Sequence, residues 1–274
     1  MTTPEASNQS SGSTRSVVVL RSVSKIFSNG TLALTGMSLD VKRGEFTSLL
    51  GPSGCGKSTA LRIIAGLGEA SSGTVEWPSS TLNSKGKPEG DIGFVFQDPT
   101  LMPWQTVFGN VYLPLRLRGM SREAARPQIM EILSLVGLED FAESYPRELS
   151  GGMKMRVSIA RSLVTRPKLL LMDEPFAALD EITRQKLNDD VLRLWQQYGL
   201  TVIFVTHSVF ESAYLSNRIV VMRARPGQVF ADMALSNAGE RNEGYRTSEE
   251  YRATCAEVSS TLQAAIHSGE ARVA

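Results

Sequence analysis

One glycine-rich segment, residues 51–58, constrains the fold of this chain more than any other feature. It matches the pattern G-x-x-x-x-G-K-[ST] and lies between an apolar run at 46–50 and a helical pattern that includes Leu61 and Ile64. Glycines at these spacings let backbone N–H groups turn inward around an anion, and the helix that begins near Lys57 adds the positive end of its dipole. The segment therefore predicts a strand, a phosphate-binding loop and a helix in succession.

The side chains of this loop predict a nucleoside triphosphate as the ligand. Lys57 is expected to reach the β- and γ-phosphates and is a catalytic candidate, while the hydroxyl of Ser58 is expected to ligate Mg²⁺. A glycine-rich turn that matches by chance is the alternative, expected in roughly one chain in a hundred of this length. The expected nucleotide contacts are Gly51, Pro52, Ser53, Gly54, Cys55, Gly56, Lys57, Ser58 and Thr59.

Apolar runs further along the chain predict an α/β fold. Continuous apolar stretches at 169–172 and 202–205 are typical of parallel strands buried on both faces, and a run at 219–222 closes the series. Between the first two, residues 181–198 carry apolar side chains at helical spacing. Helical spacing also dominates at about 98–160, so we expect a largely helical insert there, after a β-rich N-terminal stretch.

Composition excludes several classes of protein. With 42% hydrophobic residues the chain can bury a core, and 29 Lys and Arg against 28 Asp and Glu argue against holding nucleic acid through its overall field. No apolar run approaches the ~18–20 residues of a membrane span. The Ser- and Thr-rich residues 1–15 predict a disordered tail that is not a signal peptide. Two cysteines and two histidines indicate neither a disulfide framework nor a His-rich metal site, so we expect a cytosolic globular protein.

Two adjacent acids, Asp173 and Glu174, end the apolar run that begins at residue 169. Carboxylates at the mouth of a buried strand are costly unless a cation lies beside them. Mg²⁺ fits that requirement, so Asp173 is predicted to hold it while Glu174 faces the attacking water. The alternative is a strand end with two solvated acids, which the neighbouring phosphate-loop motif makes the weaker interpretation.

Two polar side chains follow other predicted strands. His207 comes directly after the strand at 201–206, at the sheet edge where open α/β folds bind ligands, and a contact with a γ-phosphate is favoured over a structural role. Gln97 follows the strand at 92–96 and is a weaker candidate, as an amide ligand for Mg²⁺ or for water. His267, near the chain end, is interpreted as structural.

A second anion-binding nest is predicted at residues 149–153, where two glycines follow a serine at a helix start. Because the loop at 51–58 already accounts for the phosphates within one subunit, a second nest is explained if it caps the same nucleotide from a partner subunit. An ordinary capped helix is the alternative, and the position of the segment between Gln97 and Asp173 favours the nest.

With these motifs in order, residues 17–225 resemble the ATPase subunits of ATP-binding-cassette (ABC) transporters. The resemblance implies that Phe27, where the family more often has Tyr, stacks on adenine. It implies that Gln97 senses a membrane partner, that Glu174 is the general base and that His207 is the switch histidine.

Ser150, Gly151 and Gly152 match the family signature, and Asp180 lies in the loop through which two cassettes communicate. Met153 departs from the pattern, since Gln is commoner there, so no polar role is assigned to it. Because the nest depends on the backbone and on Ser150, activity is expected to survive this change.

The resemblance implies an architecture as well as an activity. It implies a P-loop NTPase (RecA-like) core at 16–225, with an N-terminal antiparallel β subdomain and an inserted α-helical subdomain. Two cassettes are expected to sandwich two ATP molecules head to tail, each site combining residues 51–58 of one with 150–152 of the other. A homodimer that hydrolyses ATP is the simplest assembly, and ATP with Mg²⁺ are the implied ligands.

The resemblance further implies an importer whose permease is a separate chain. Residues 97–104 and 173–180 are similar to the nitrate, sulfonate and taurine branch of importers. In that branch a solute-binding protein and the permease choose the solute, and the ATPase lies on the cytoplasmic face of the inner or plasma membrane. The apolar run at 99–104 is either a cleft for a permease helix or ordinary core packing.

The extension at 226–274 is too short for a separate β-barrel domain. Residues 247–250 fit a capping box that begins at Thr247, and Tyr251, Cys255, Val258 and Leu262 follow at helical spacing. These features predict an amphipathic helix, for which packing on its own core is favoured over a dimer or membrane contact.

Two other classes of ATPase remain as alternatives at this stage. Cassette ATPases without a permease act in DNA repair or on ribosomes, but this chain lacks their long insertions or second cassette, and its charge indicates no nucleic-acid partner. A P-loop kinase or GTPase would have no use for the segment at 149–153.

Overall fold

The computed structural model describes residues 15–235, 241 and 243–270. The predicted tail at 1–15 therefore lies outside the described residues except for Arg15. In chain order the strands and helices are β1 (Ser16–Ile26), β2 (Leu32–Lys42), β3 (Phe46–Leu50), α1 (Lys57–Ile64), β4 (Ser72–Glu76), β5 (Ile92–Val95), α2 (Val107–Leu117), α3 (Arg122–Leu135), α4 (Gly151–Leu163), β6 (Leu169–Asp173), α5 (Glu181–Tyr198), β7 (Val202–Thr206), α6 (Val209–Leu215), β8 (Arg218–Arg223), β9 (Gln228–Ala234) and α7 (Glu249–Glu270).

A six-stranded sheet forms the centre of the described chain, in the order β5-β6-β7-β3-β8-β9. The first five strands are parallel, and β3, β6 and β7 are buried along their whole length. The apolar runs at 169–172 and 202–205 predict this burial for β6 and β7, whereas β3 also buries the polar residues Thr47 and Ser48. This order brings the carboxyl ends of β3, β6 and β7 to one edge, where the phosphate loop, the two acids and His207 follow.

The sequence prediction that residues 219–222 close the strand series is wrong. Strand β9 pairs antiparallel with β8 at the edge of the sheet. Its residues alternate between half-buried and exposed positions, so β9 lacks the continuous apolar run of the central strands. A signal for it was available, because Pro226 and Gly227 form a turn between two strand-like segments.

A second, three-stranded antiparallel sheet, β2-β1-β4, covers one side of helix α1. Apolar side chains from both sheets and from α1 form one core, in which Val18, Leu34, Leu61 and Leu171 are fully buried. Strands β1 and β2 pair along their whole length, with several irregularities in the register between them.

Helices α2, α3 and α4 form the insert between β5 and β6. Thr106, Ser121 and Ser150 cap them, each accepting a hydrogen bond from a backbone N–H of the first turn. Their buried faces join the core on the other side of the central sheet, where Phe108 and Phe204 belong to one cluster. The predicted α/β fold, with an antiparallel β subdomain and a helical insert, is confirmed.

The C-terminal helix α7 packs over strand β8 of the central sheet, next to β3. Val258 and Ala265 of α7 form a buried cluster with Leu50, Ile219 and Val221. The predicted capping residue, Thr247, is displaced by one position, because the hydroxyl of Ser248 accepts the hydrogen bond from the N–H of Tyr251 (3.1 Å). Of the helices in the described part of the chain, none combines the length and the apolar character that a membrane span requires.

Candidate active site

The loop at 51–58 connects β3 to α1, and its backbone conformation and close packing require glycine at some positions. Gly56 has φ +90°, and a Cβ there would lie 2.7 Å from Leu34. The Nζ atom of Lys57, buried at 3% side-chain exposure, donates hydrogen bonds to the carbonyls of Gly51 (2.8 Å) and Pro52 (3.1 Å). The lysine charge is therefore fixed inside the curve of the loop, where an anion would meet it.

The base of this loop is supported by a segment that sequence reasoning did not assign to the site. The turn between β8 and β9 lies against it, so that a Cβ on Gly227 would be 2.2 Å from the carbonyl oxygen of Cys55. Gly227 also exchanges backbone hydrogen bonds with β2, from its N–H to Ala33 (3.1 Å) and from the N–H of Thr35 to its carbonyl (2.9 Å). Because a side chain at 227 would displace the loop, glycine is required there.

Ser58 and Asp173 meet at the start of α1 and the end of β6. The Ser58 hydroxyl donates to Oδ1 of Asp173 at 2.8 Å. Burial raises the pKa of Asp173, and the hydrogen bond from Ser58 acts in the opposite direction. A hydroxyl oxygen beside a carboxylate suits a hard cation such as Mg²⁺. Within the described ranges, no three His, Cys, Asp or Glu side chains are grouped so that they could hold a metal ion.

Glu174 lies between the loop lysine and the histidine that follows β7. Strands β6 and β7 pair with Asp173 opposite Val205, and the N–H of Glu174 donates to the Val205 carbonyl (3.0 Å). Its Oε1 atom is 3.5 Å from Nζ of Lys57 and its Oε2 atom is 3.0 Å from Nδ1 of His207. Glu174 holds φ at +45°, a conformation uncommon for a non-glycine residue. The three predicted catalytic side chains thus form one cluster.

The signature residues lie against a different part of the chain. Ser150 caps α4, its hydroxyl accepting from the N–H of Met153 at 3.3 Å. A Cβ on Gly152 would be 2.6 Å from the methyl of Thr183, and one on Gly151 would be 3.4 Å from Leu179. Within the described residues, no hydrogen bond or ion pair joins this nest to the loop at 51–58.

Asp180 begins helix α5 beside that nest. Its carboxylate accepts a hydrogen bond from the N–H of Thr183 at 3.0 Å, and this bond lowers the pKa of Asp180. A charged acid at the N-terminus of a helix is favourable because it faces the positive end of the dipole. The side chain is exposed, so it can meet a neighbouring molecule.

Two further predicted residues, Phe27 and Gln97, lie at the surface, whereas Cys55 of the phosphate loop is buried. Phe27 follows β1 with its ring 44% exposed and Nζ of Lys25 5.5 Å from the ring centroid. Gln97 is exposed two residues after the end of β5. In the apolar run beyond it, Leu101 packs on the core whereas Trp104 is 70% exposed, so the run combines core packing with an apolar surface.

Comparison with known proteins agrees with this geometry. The family model described as ABC transporter matches residues 34–177. The chain is 43% identical over 215 residues to the aliphatic sulfonates import ATP-binding protein SsuB of Bacillus cereus, and the matched region covers 77% of this chain and 83% of that protein. It is 40% identical over 223 residues to the nitrate import ATP-binding protein NrtD of Synechocystis sp., with 80% and 83% covered.

The fold has solved counterparts as well. The dimeric structure of the ATP-binding cassette MJ0796 in a post-hydrolysis state, bound to ADP and Pi, matches with a TM-score of 0.70 and 36% identity, covering 80% of this chain and 99% of that one. The chain therefore belongs to the ATP-binding proteins of the ABC transporter family. The predicted family, P-loop NTPase fold and ATPase class are confirmed.

Proposed function

We propose that this chain binds and hydrolyses ATP to drive solute import through a separate membrane permease. The observation that carries the proposal is the cluster in which Glu174 lies within 3.5 Å of Lys57 and within 3.0 Å of His207, beside the pair of Ser58 and Asp173. These groups suit the charges of phosphoryl transfer to water, which needs positioning and electrostatic stabilisation more than a protein nucleophile.

Each side chain of the cluster has a proposed role. Lys57 binds the β- and γ-phosphates, and Ser58 with Asp173, assisted by Gln97, holds Mg²⁺. The bound ion neutralises charge on the phosphate oxygens. Glu174 accepts a proton from the attacking water, and His207 orients Glu174 and contacts the γ-phosphate. Phe27 stacks on the adenine ring.

A second copy of the chain completes each site in this proposal. The exposed Ser150 and the backbone of Gly151 and Gly152 form a nest at the N-terminus of α4, and within the chain they lie against α5 rather than the phosphate loop. Such a nest suits the γ-phosphate of a nucleotide held by a partner. Asp180, exposed beside it, is placed to contact that partner. A homodimer with two ATP sites is thus the proposed assembly.

A permease and, through it, a solute-binding protein are the further proposed partners. The solute in this proposal is a small anion such as a sulfonate or nitrate, because relatives of this chain are named as import proteins for sulfonates and for nitrate. In this proposal a permease helix docks on the surface around Trp104 and Gln97, since both are exposed, and the chain acts at the cytoplasmic face of the membrane. Nucleic acid is not a proposed partner, since the net charge is +1.

An uptake assay tests this proposal. Host cells lacking the chain are given labelled nitrate, taurine or an alkyl sulfonate, with the wild-type chain or the Lys57→Gln variant supplied from a plasmid. Uptake of at least one solute restored by the wild type and not by the variant is expected. Equal uptake in cells with and without the chain would contradict the transport role.

A further inference from the structure

Glu211 of α6 is a buried carboxylate for which the proposed reaction has no role. Its side chain is 9% exposed, and its Oε2 atom accepts a hydrogen bond from the hydroxyl of Thr206. Burial raises the pKa of Glu211, and the Thr206 hydroxyl and Arg184 act against that rise. A buried carboxylate costs several kcal/mol of folding free energy unless it is paired, so its partners are part of its function.

Thr206 connects this carboxylate to the backbone around His207. The same hydroxyl that donates to Glu211 accepts a hydrogen bond from the N–H of Ser208 at 2.9 Å. The residues immediately before and after His207 are thereby tied together and to α6. The side chain of His207 is 56% exposed, so we take the backbone turn at 206–208 to be what aims it toward Glu174.

Arg184 connects the carboxylate to the loop at 178–180. Its Nε atom lies 3.8 Å from Oε1 of Glu211, and its Nη2 atom donates to the carbonyl of Leu179 at 2.8 Å. The Nε atom of Arg184 is buried and has no hydrogen-bond partner, so the ion pair with Glu211 is what offsets the cost of burying it. One arginine therefore joins the loop that ends at Asp180 to the carboxylate behind His207.

We propose that Arg184 and Glu211 are positioning residues that hold His207 against Glu174 and link its position to the loop at 178–180. The inference rests on the proposed ATPase reaction. Because that loop is exposed where a second cassette is expected, movement of Leu179 on dimer formation is passed through Arg184 and Glu211 to the turn at His207. The link acts on the histidine and not on nucleotide binding.

The two histidines of the chain make a direct test feasible. The imidazole C–H resonances of His207 and His267 are recorded by NMR for the wild type and for Glu211→Gln, with His207→Ala to assign them. Glu211→Gln keeps the size of the side chain and removes its charge. We expect the His207 resonance to move beyond its linewidth and that of His267, exposed on α7, to stay. We also expect kcat for ATP to fall about tenfold or more, with KM changed less than about twofold.

A matched control uses the other partner of the same arginine. Glu181 contacts Nη1 of Arg184 at 3.3 Å but is 66% exposed, so Glu181→Gln should leave the His207 resonance and kcat near the wild type. If Glu211→Gln melts far below the wild type, the same measurements are made on Arg184→Lys instead. Lysine retains the charge at position 184 but cannot reach Glu211 and Leu179 together. The same resonance shift is expected from it.

Two results would overturn the link. The first is that Glu211→Gln and Arg184→Lys both keep an unshifted His207 resonance and the wild-type kcat. The second is that the loss of activity appears entirely in KM. Either result contradicts the link and leaves the ATPase proposal intact. A wild-type chain that does not hydrolyse ATP in the same assay contradicts both.

Discussion

The Nδ1 atom of His207 lies 3.0 Å from Oε2 of Glu174, although the two residues are 33 positions apart. They meet because each directly follows one of two neighbouring parallel strands, β6 and β7, whose carboxyl ends share an edge. In the proposed reaction this contact fixes the carboxylate that accepts the proton from water. The opposite side of Glu174 faces Lys57, so a single acid connects the histidine to the phosphate loop.

Removal of this histidine should impair the chemical step. We expect His207→Ala to lower kcat by about 10²-fold or more, because Glu174 then loses the group that orients it. The affinity for ATP should change little, since the loop at 51–58 remains intact. Steady-state hydrolysis and ATP titration measure the two quantities. His267→Ala is the matched control, because that histidine is exposed on α7, and a similar loss of kcat in it would count against the assignment.

Gly152, the second glycine of the proposed nest, is closely packed against Thr183. In Gly152→Ala the new methyl would meet Cγ2 of Thr183 at 2.6 Å, so we expect the free energy of unfolding to fall by about 1–3 kcal/mol. Gly151→Ala should cost less, because its nearest neighbour would be 3.4 Å away. Adding Thr183→Ser, which removes that methyl, should restore most of the stability. Urea unfolding gives the free energy of unfolding of all four proteins. If Thr183→Ser does not restore the stability of Gly152→Ala, the packing explanation is contradicted.

Neither cysteine should react in the folded protein. Cys55 and Cys255 are buried, and burial raises the pKa of both thiols, so little thiolate exists at neutral pH. We expect maleimide to label both cysteines in urea and neither in native buffer at pH 7, as counted by mass spectrometry. Rapid native labelling of Cys55 would show that the phosphate loop opens readily.

The exposed tryptophan after Gln97 should be needed for transport and not for folding. We expect Trp104→Ala to lower solute uptake in cells while the free energy of unfolding stays within about 0.5 kcal/mol of the wild type, since the ring is 70% exposed. Leu67→Ala, which truncates an exposed apolar residue just after α1, is the matched control. Equal uptake by both variants would remove the argument for a permease contact at Trp104.

Much of this site could be predicted from the sequence because its residues are tied to strand ends. Asp173, Glu174 and His207 stand at the ends of apolar runs, Lys57 stands in a glycine-rich motif that follows a strand, and parallel strands bring such positions together. Arg184 and Glu211 could not be found in the same way. Arg184 lies in α5 among other charged residues, whereas Glu211 is the single charged residue of α6, and only the three-dimensional packing shows that Glu211 is buried beside Thr206 and near Arg184.

The edges of the fold were less predictable than its centre. Strand β9 alternates between partly buried and exposed positions and carries Gln228 and Asp232 among its apolar residues, so it lacks the continuous apolar run that marks a central strand. The one-position shift from Thr247 to Ser248 at the start of α7 reflects two adjacent hydroxyl residues that can both cap a helix. The partner of Ser150 cannot be read from one chain, since the proposed contact lies between two copies.

The most direct test of the account is the behaviour of Glu174→Gln with ATP and Mg²⁺. The account predicts that hydrolysis falls at least about 10²-fold and that the variant elutes as a dimer, measured by light scattering, only when ATP is present. The reason is that the amide cannot accept the proton from water, whereas the phosphate loop and the nest at 150–152 still bind nucleotide. A variant that hydrolyses ATP at the wild-type rate, or that stays monomeric with ATP bound, would contradict the account.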